Sequence, residues 1–277
     1  MAKLSPQGEK LENNYLKQIK MAINLDQIKE LRNMTGVSMT ACKVALEETA
    51  GDMDKAIDVL RKKGEAKAVD RAARTTSQGV IAVKTEGDKA GMAMVLCETD
   101  FASRSEDFVA LADKLAEKVL KGEVKESDRD FPELKDLGLK TGENVQVGDL
   151  KLMSGSVLGS YIHSNKKIGV VVSLKGGNVD LAKEVAMHAA ATNPVCVSPD
   201  QISQESVDKE KEIWRDLLSK ENKPAEIIEK IMIGKEKKFR EENALIKQPF
   251  VKNPEKTIEQ FLSESGASVE SFHRMAI

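Results

Sequence analysis

The segment Glu98-Thr99-Asp100-Phe101-Ala102 carries the residue types best suited to act on a partner. It joins a strongly apolar stretch to a helix predicted to start at Ser105. An aromatic side chain can fill a partner's pocket, and the neighbouring carboxylate would bring negative charge near a phosphate or metal site. The alternative is local: Phe101 packs onto the following helix and Asp100 forms a turn. Spacing alone leaves the local alternative slightly ahead.

The cysteines and histidines form no recognisable catalytic or metal motif. The sequence has no CxxC or HxxxH spacing, and neither a Ser/His/Asp nor a Cys/His order indicates a nucleophile. His188 shares an apolar helical stripe with Leu181 and Val185, which predicts a core histidine. His163 lies beside a polar turn, where a surface contact and a spectator role are equal alternatives. We therefore expect no bound metal.

Phosphate-binding motifs are missing from the sequence as well. Neither GxxxxGK[ST] nor GxGxxG occurs, and Gly176-Gly177 is interpreted as a turn. The sequence therefore predicts no nucleotide site, no cofactor and no enzyme activity of its own.

The composition favours a helix-rich protein with small cores and much exposed surface. The 277 residues carry a net charge of −2, 32% charged residues and 4% aromatic residues. A nucleic-acid binder would normally show a strongly basic face, so no nucleic-acid partner is expected. Three scattered cysteines fit a reducing cytoplasm, and no stretch is apolar enough to span a membrane. Residues 1–21 are interpreted as a disordered leader or an upstream extension, with Met21 as an alternative start.

Three short helices are predicted within residues 22–64. Apolar residues recur at helical spacing in each, and the breaks at Thr35-Gly36-Val37-Ser38 and Gly51-Asp52 separate them. Gly64 is predicted to end the third helix. Such a small bundle has little room for an enzyme pocket, so docking is its more natural use. Residues 65–78 are interpreted as a linker, with partial helix as an alternative.

The remainder contains a diverged repeat of hairpin, loop and helix, which indicates an α+β core of two related subdomains, 79–157 and 158–277. Polar turns join the strands in each copy, and each helix would cover one face of a small antiparallel sheet. Only the first copy carries a polar and aromatic connection, Glu98 to Arg104. A shared scaffold does not explain that difference. Residues 201–246 are predicted to form a helical hairpin, with its turn near Pro224, that protrudes as an antiparallel coiled coil.

Four ordered segments resemble the bacterial elongation factor Ts family, and the resemblance spans about residues 22–273. They are Leu31-Arg32 with Thr35-Gly36, Met39, Cys42-Lys43 and Ala45-Leu46; Cys97-Glu98-Thr99-Asp100-Phe101; Gly159-Ser160-Tyr161-Ile162-His163; and Gln248-Pro249-Phe250-Val251.

The resemblance implies a guanine nucleotide exchange factor for elongation factor Tu, in its GDP-bound and nucleotide-free states. It implies an N-terminal module like a ubiquitin-associated (UBA) domain, two core subdomains and a coiled coil. It also implies that the loop Thr99, Asp100, Phe101 and Ala102 intrudes near the nucleotide's magnesium and loosens the diphosphate site. Ala102 replaces a usual Val, which makes the wedge slightly smaller.

Two further contact regions follow from the resemblance. Arg32, Met39 and Lys43 would dock on the nucleotide domain, and Tyr161 and His163 would contact another part of the partner. A homodimer of the complex is an additional alternative. The rival hypotheses are a pure binding module, which would leave GDP release unchanged, and a Cys- or His-dependent hydrolase.

Overall fold

The computed structural model describes residues 24–35, 37–219 and 224–277, with side chains of 65–71 left aside. The predicted leader, residues 1–21, lies outside them. The chain divides into two compact units. The first takes the described part of Met1–Gly79 together with Leu96–Leu111 and Arg129–Val147, and the second takes the rest. These units interleave along the chain, so the predicted linear domain boundaries stay a prediction.

Three helices open the first unit: α1 (Leu25–Thr35), α2 (Met39–Glu48) and α3 (Met53–Ala72). Ser38 caps α2 by accepting a hydrogen bond from the amide of Ala41 at 3.3 Å, as its position before an apolar stripe predicts. The three helices close over one small core: Ile28, Leu31, Cys42, Ala45, Leu46, Ala56 and Leu60. The three predicted helices are confirmed, while the UBA-like comparison stays a prediction.

The predicted end of the third helix at Gly64 is wrong, because α3 continues to Ala72. A helical glycine costs about 1 kcal/mol relative to alanine, and the Glu-Ala-Lys-Ala that follows is a strong helix former. Gly64 instead lies against helix α6 (Pro132–Thr141), where a Cβ atom would stand 1.9 Å from Cδ2 of Leu139. The glycine therefore permits close helix packing rather than a helix end.

Two three-stranded sheets form the β part of the fold. The first has the order β1-β2-β3 and the second β4-β5-β8, with β5 in the centre and antiparallel to both neighbours. The strands are β1 (Gln78–Glu86), β2 (Lys89–Cys97), β3 (Gln146–Ser154), β4 (Val157–Ile162), β5 (Ile168–Lys175) and β8 (Ser268–Ala276). Both predicted hairpins, β1-β2 and β4-β5, are present, and each sheet has a third strand that the sequence pattern did not predict.

A helix lies close against a strand in both copies of the repeat. These helices are α5 (Glu106–Leu120) and α7 (Val179–Thr192). A Cβ atom at Gly91 of β2 would stand 2.3 Å from the carbonyl oxygen of Ala116 in α5. A Cβ atom at Gly159 of β4 would stand 2.3 Å from the amide nitrogen of Lys183 in α7. Glycine in a strand thus sets the helix-to-sheet distance in both copies.

Two long helices follow, α8 (Gln204–Ser219) and α9 (Ala225–Asn243), where the helical hairpin was predicted. Trp214, Leu218 and Met232 form their shared apolar core. Lys211 of α8 pairs with Glu236 of α9 at 2.6 Å. The coiled-coil geometry stays a prediction. The chain then forms the short pair β6 (Pro249–Phe250) and β7 (Asn253–Thr257), helix α10 (Ile258–Ser263) and β8.

Gln248 and Phe250 belong to the core of the second unit, around His188. Nε2 of His188 lies 3.0 Å from Oε1 of Gln248, and its Nδ1 accepts a hydrogen bond from the amide of Val251 at 3.3 Å. The ring of Phe250 lies beside the imidazole and stacks on Phe261 with centroids 4.5 Å apart. The predicted core histidine is confirmed, and within the segment Gln248–Val251 the buried Gln248 and Phe250 have a packing function.

We expect His188 to make the stability of the protein dependent on pH. Burial lowers the pKa of His188 below its ordinary value, although the hydrogen bond to Gln248 acts in the opposite direction. A proton on Nδ1 would also face the amide N–H of Val251. The unfolded chain therefore takes up this proton more readily, and stability should fall as the pH drops below about 6.5, by up to about 1.4 kcal/mol per pH unit.

The check is urea unfolding of the protein and of the His188→Gln variant at pH 7.5 and pH 5.5. We expect the variant to lose about 1 kcal/mol less between the two pH values, whatever its absolute stability. Equal losses in both proteins would contradict the role of His188.

Candidate functional site

The predicted loop after β2 is a single helical turn, α4 (Asp100–Ser103). Thr99 caps it, because its hydroxyl oxygen accepts a hydrogen bond from the amide of Ala102 at 3.3 Å. Threonine followed by aspartate is a favourable helix start, since the hydroxyl satisfies a free amide and the carboxylate lies at the positive end. The segment is thus a capped helical turn rather than an irregular loop.

Phe101 points away from the protein, with 83% of its surface exposed. The local alternative, in which this ring packs onto the following helix, is therefore wrong. Asp100 is partly exposed beside it, and its carboxylate pairs with the guanidinium of the more exposed Arg104 at 3.0 Å. The turn presents an aromatic ring and a carboxylate to solvent, as the functional hypothesis requires.

The other side of the turn faces inward. Ala102 and Ser103 are buried, and the hydroxyl of Ser103 donates to the carbonyl oxygen of Asp100 at 2.9 Å. Ala102 therefore supports the turn from below rather than forming part of the exposed surface. Its small side chain affects how the turn sits on the protein, which refines the interpretation of a smaller wedge.

The segment after α6 holds this turn from the side. The Glu143 carboxylate accepts hydrogen bonds from the amides of Glu98 and Thr99, each at 3.0 Å, and from the Thr99 hydroxyl. In return, the amide of Asn144 donates to the carboxylate of Glu98 at 2.7 Å. Four hydrogen bonds between segments more than 40 residues apart in sequence thus fix the end of β2 and the start of the turn.

The same network reaches the segment that follows helix α3. The side-chain amide of Asn144 donates to the carbonyl oxygen of Arg74 at 2.9 Å, and the guanidinium of Arg74 lies 3.4 Å from the carboxylate of Glu98. The Asn144 side chain is buried. The turn carrying Phe101 is therefore tied to the chain leaving the N-terminal helices.

The proposed docking residues of the N-terminal helices lie at the surface. Arg32 and Lys43 are exposed, and Met39 is half-buried against the module's core. Two apolar side chains that the sequence pattern did not single out, Met34 and Val44, are also exposed there. The described residues thus offer a mixed basic and apolar surface.

Tyr161 and His163 lie together in the second unit, at the end of β4. The Tyr161 hydroxyl is 3.2 Å from Nδ1 of His163, whose side chain is exposed. Ile162 between them is partly exposed. The structure thus brings this pair together, and their contact with a partner stays a prediction.

Comparison with known proteins gives a consistent family. The family model for elongation factor Ts matches residues 98–277. Elongation factor Ts of Thioalkalivibrio sulfidiphilus is 43% identical over 272 residues, covering 93% of this chain and 92% of the relative. That of Cellvibrio japonicus is 43% identical over 263 residues, covering 90% and 89%. The chain belongs to the elongation factor Ts family.

Membership of the elongation factor Ts family confirms the resemblance found in the sequence. It places the chain among the elongation factors of protein biosynthesis. No helix among the described residues is both long enough and apolar enough to cross a membrane. The described residues also hold no group of three or more His, Cys, Asp or Glu arranged for a metal ion.

In this elongation factor Ts family member, the sequence pattern did not predict that Glu143, Asn144 and Arg74 support the turn that carries Phe101. Local signals were present for the helix before Glu143 and Asn144: Pro132 stands at its first turn and Gly142 follows it with a left-handed φ of 75°. Those signals would have predicted α6. The contact of Glu143 with Thr99 is long-range, and no local pattern encodes it.

Proposed function

We propose that this chain is a guanine nucleotide exchange factor that binds elongation factor Tu–GDP and promotes GDP release during translation elongation. The observation that carries the proposal is the phenyl ring of Phe101, 83% exposed on a turn that hydrogen bonds hold in place. Exposing such a ring forgoes about 1.5–3 kcal/mol of burial, which binding to a partner would recover. Family membership supplies the class of partner.

In the proposed mechanism, Phe101 acts as a wedge and Asp100 as its polar companion. A GTPase holds its diphosphate through magnesium, which prefers strict octahedral geometry and is bound by water, carboxylates and phosphate oxygens. Inserting a ring and a carboxylate beside that site would disturb this geometry and remove charge neutralisation from the diphosphate. Thr99 and Ala102 shape the turn. Release then accelerates without covalent chemistry, and the chain needs no cofactor or metal and is not an enzyme.

The remaining contacts belong to the same proposal. Arg32, Met39 and Lys43 would dock on the nucleotide domain, and Tyr161 and His163 on another part of the partner. Elongation factor Tu would be bound in its GDP-bound and nucleotide-free states, in the cytoplasm, with no nucleic acid or membrane involved. The UBA-like module, the coiled coil and a homodimer of the complex complete this finer proposal.

The test is release of fluorescent GDP from elongation factor Tu, chased with excess unlabelled GDP, with and without this chain. We expect the release rate to rise with the concentration of the chain and then to saturate. Binding of the chain, measured in parallel, without any change in release rate would favour the rival binding module and overturn the proposal.

A further inference from the structure

The exposed ring of Phe101 does little to hold its own turn in place. With 83% of its surface exposed, the phenyl group gains little by packing against its own chain. Its direction is therefore set by the backbone of residues 99–103, which is held by the buried Ala102 and Ser103 and, at its start, by the contacts of Thr99. The direction of the ring thus depends on the contacts of Thr99.

The Thr99 hydroxyl has two tasks. Its oxygen accepts the capping hydrogen bond from the amide of Ala102, while its O–H donates a hydrogen bond to the carboxylate of Glu143. A hydroxyl has one proton and two lone pairs. Because the hydroxyl donates its hydrogen bond to Glu143, it is oriented with a lone pair towards the turn. The carboxylate thus acts on the cap through Thr99.

The same carboxylate also fixes the main chain just before the cap. It accepts the amides of Glu98 and Thr99 through one oxygen, each at 3.0 Å. Bonds to an ionised acceptor are about twice as strong as neutral ones. One half-buried side chain therefore holds two amides and one hydroxyl, and all three belong to the entry of the turn.

From this geometry we propose that Glu143 is a positioning residue for Phe101, an inference that rests on the proposed exchange function. Glu143 does not touch the partner. It sets the direction in which the ring is presented. Asn144, Glu98 and Arg74 support this arrangement through their contacts with one another. Losing it should affect how often the bound complex reaches the productive arrangement more than how tightly the partner binds.

The test variant is Glu143→Gln, which keeps the shape but places an NH₂ group where an acceptor oxygen was. We expect the maximal stimulated rate of GDP release to fall about 5- to 10-fold, with a less than about twofold change in the half-saturating concentration. Glu205→Gln is the matched control, because Glu205 is a surface carboxylate paired with Lys209 on α8, and it should behave like the wild type.

A second readout uses the free protein and does not depend on the exchange assay. Amide hydrogen exchange of Glu98, Thr99 and Ala102, followed by NMR, should accelerate about tenfold in Glu143→Gln and stay unchanged in Glu205→Gln. Thr99→Val removes the capping hydroxyl and should lower the release rate in the same direction as Glu143→Gln. The double variant should lose less than the product of the two single losses, because both substitutions act on the same turn.

These readouts separate the two proposals. Unchanged amide exchange in Glu143→Gln would overturn the positioning role, whatever the release assay gives. Faster amide exchange with an unchanged maximal release rate would overturn it too. So would a rise in the half-saturating concentration by the same factor as the fall in the maximal rate, because binding would then be affected as much as positioning. Full activity of Phe101→Ala would instead refute the wedge, and with it the purpose of the positioning, even if Glu143 still ordered the turn.

Discussion

Phe101→Ala is expected to lower the stimulated rate of GDP release from elongation factor Tu by at least about tenfold while leaving the fold intact. The substitution removes an exposed ring, so it takes nothing from the core. Inserting the ring into a partner would yield about 1.5–3 kcal/mol, and each 1.4 kcal/mol lost from the transition state slows the step about tenfold. The measurement is the saturated release rate, with circular dichroism and thermal unfolding to verify the fold.

A matched control is available for that experiment. Val179 begins helix α7 in the second unit and exposes 60% of its surface, but it lies in none of the proposed contact regions. Val179→Ala should leave both release and unfolding unchanged. A release rate for Phe101→Ala equal to that of Val179→Ala would contradict the wedge role.

The parts of the fold with strong periodicity were predictable from the sequence. The centre of the second sheet, Ile168–Lys175, is an almost continuous apolar run, and its hairpin partner precedes it across a polar turn. The third strand, Ser268–Ala276, mixes Glu270, His273 and Arg274 with apolar residues and pairs with β5 alone. Met275 is the one buried residue of this strand, so its apolar alternation is weak and its sequence signal was lost.

The exposed half of the candidate site was predictable, and its support was not. Residue types and an insertion in one copy of the repeat indicate Asp100 and Phe101 as candidates, and the family resemblance then favours the functional interpretation over the local one. The helical turn itself follows from local capping by Thr99. The bonds from Glu143 depend on a chain segment more than 40 residues away. Such contacts arise from tertiary folding, which spacing along the chain does not encode.

Gly64 shows the opposite error, in which a local signal was overridden. A glycine after a helical stripe usually marks a helix end. Here the glycine remains helical, because its missing side chain makes room for Leu139. The helix therefore continues to Ala72, and the chain that follows it reaches Arg74 and the network behind the turn. Packing between helices, together with the strong helix propensity of the residues that follow, outweighed the stop signal of the glycine.

Nucleotide and this chain should oppose each other's binding to elongation factor Tu by the same factor. If the chain loosens the diphosphate site, linkage requires that GDP with magnesium weakens the chain's binding equally. Couplings of this kind are typically about 5- to 150-fold, so nucleotide-free elongation factor Tu should bind the chain at least about tenfold more tightly than the GDP form. The measurement is titration calorimetry of both forms at fixed magnesium.

Variants of the two proposed contact regions should separate coupling from simple attachment. Lys43→Ala removes an exposed charge from the docking helices, so it should weaken binding to both forms alike and leave their ratio unchanged. Phe101→Ala should reduce the ratio of the two affinities, because in the proposed mechanism the ring and the bound nucleotide require different arrangements of the same site. If the unaltered chain bound the nucleotide-free and GDP-bound forms with nearly equal affinity, the exchange function would be contradicted, since a ligand with equal affinity for two states does not shift the equilibrium between them.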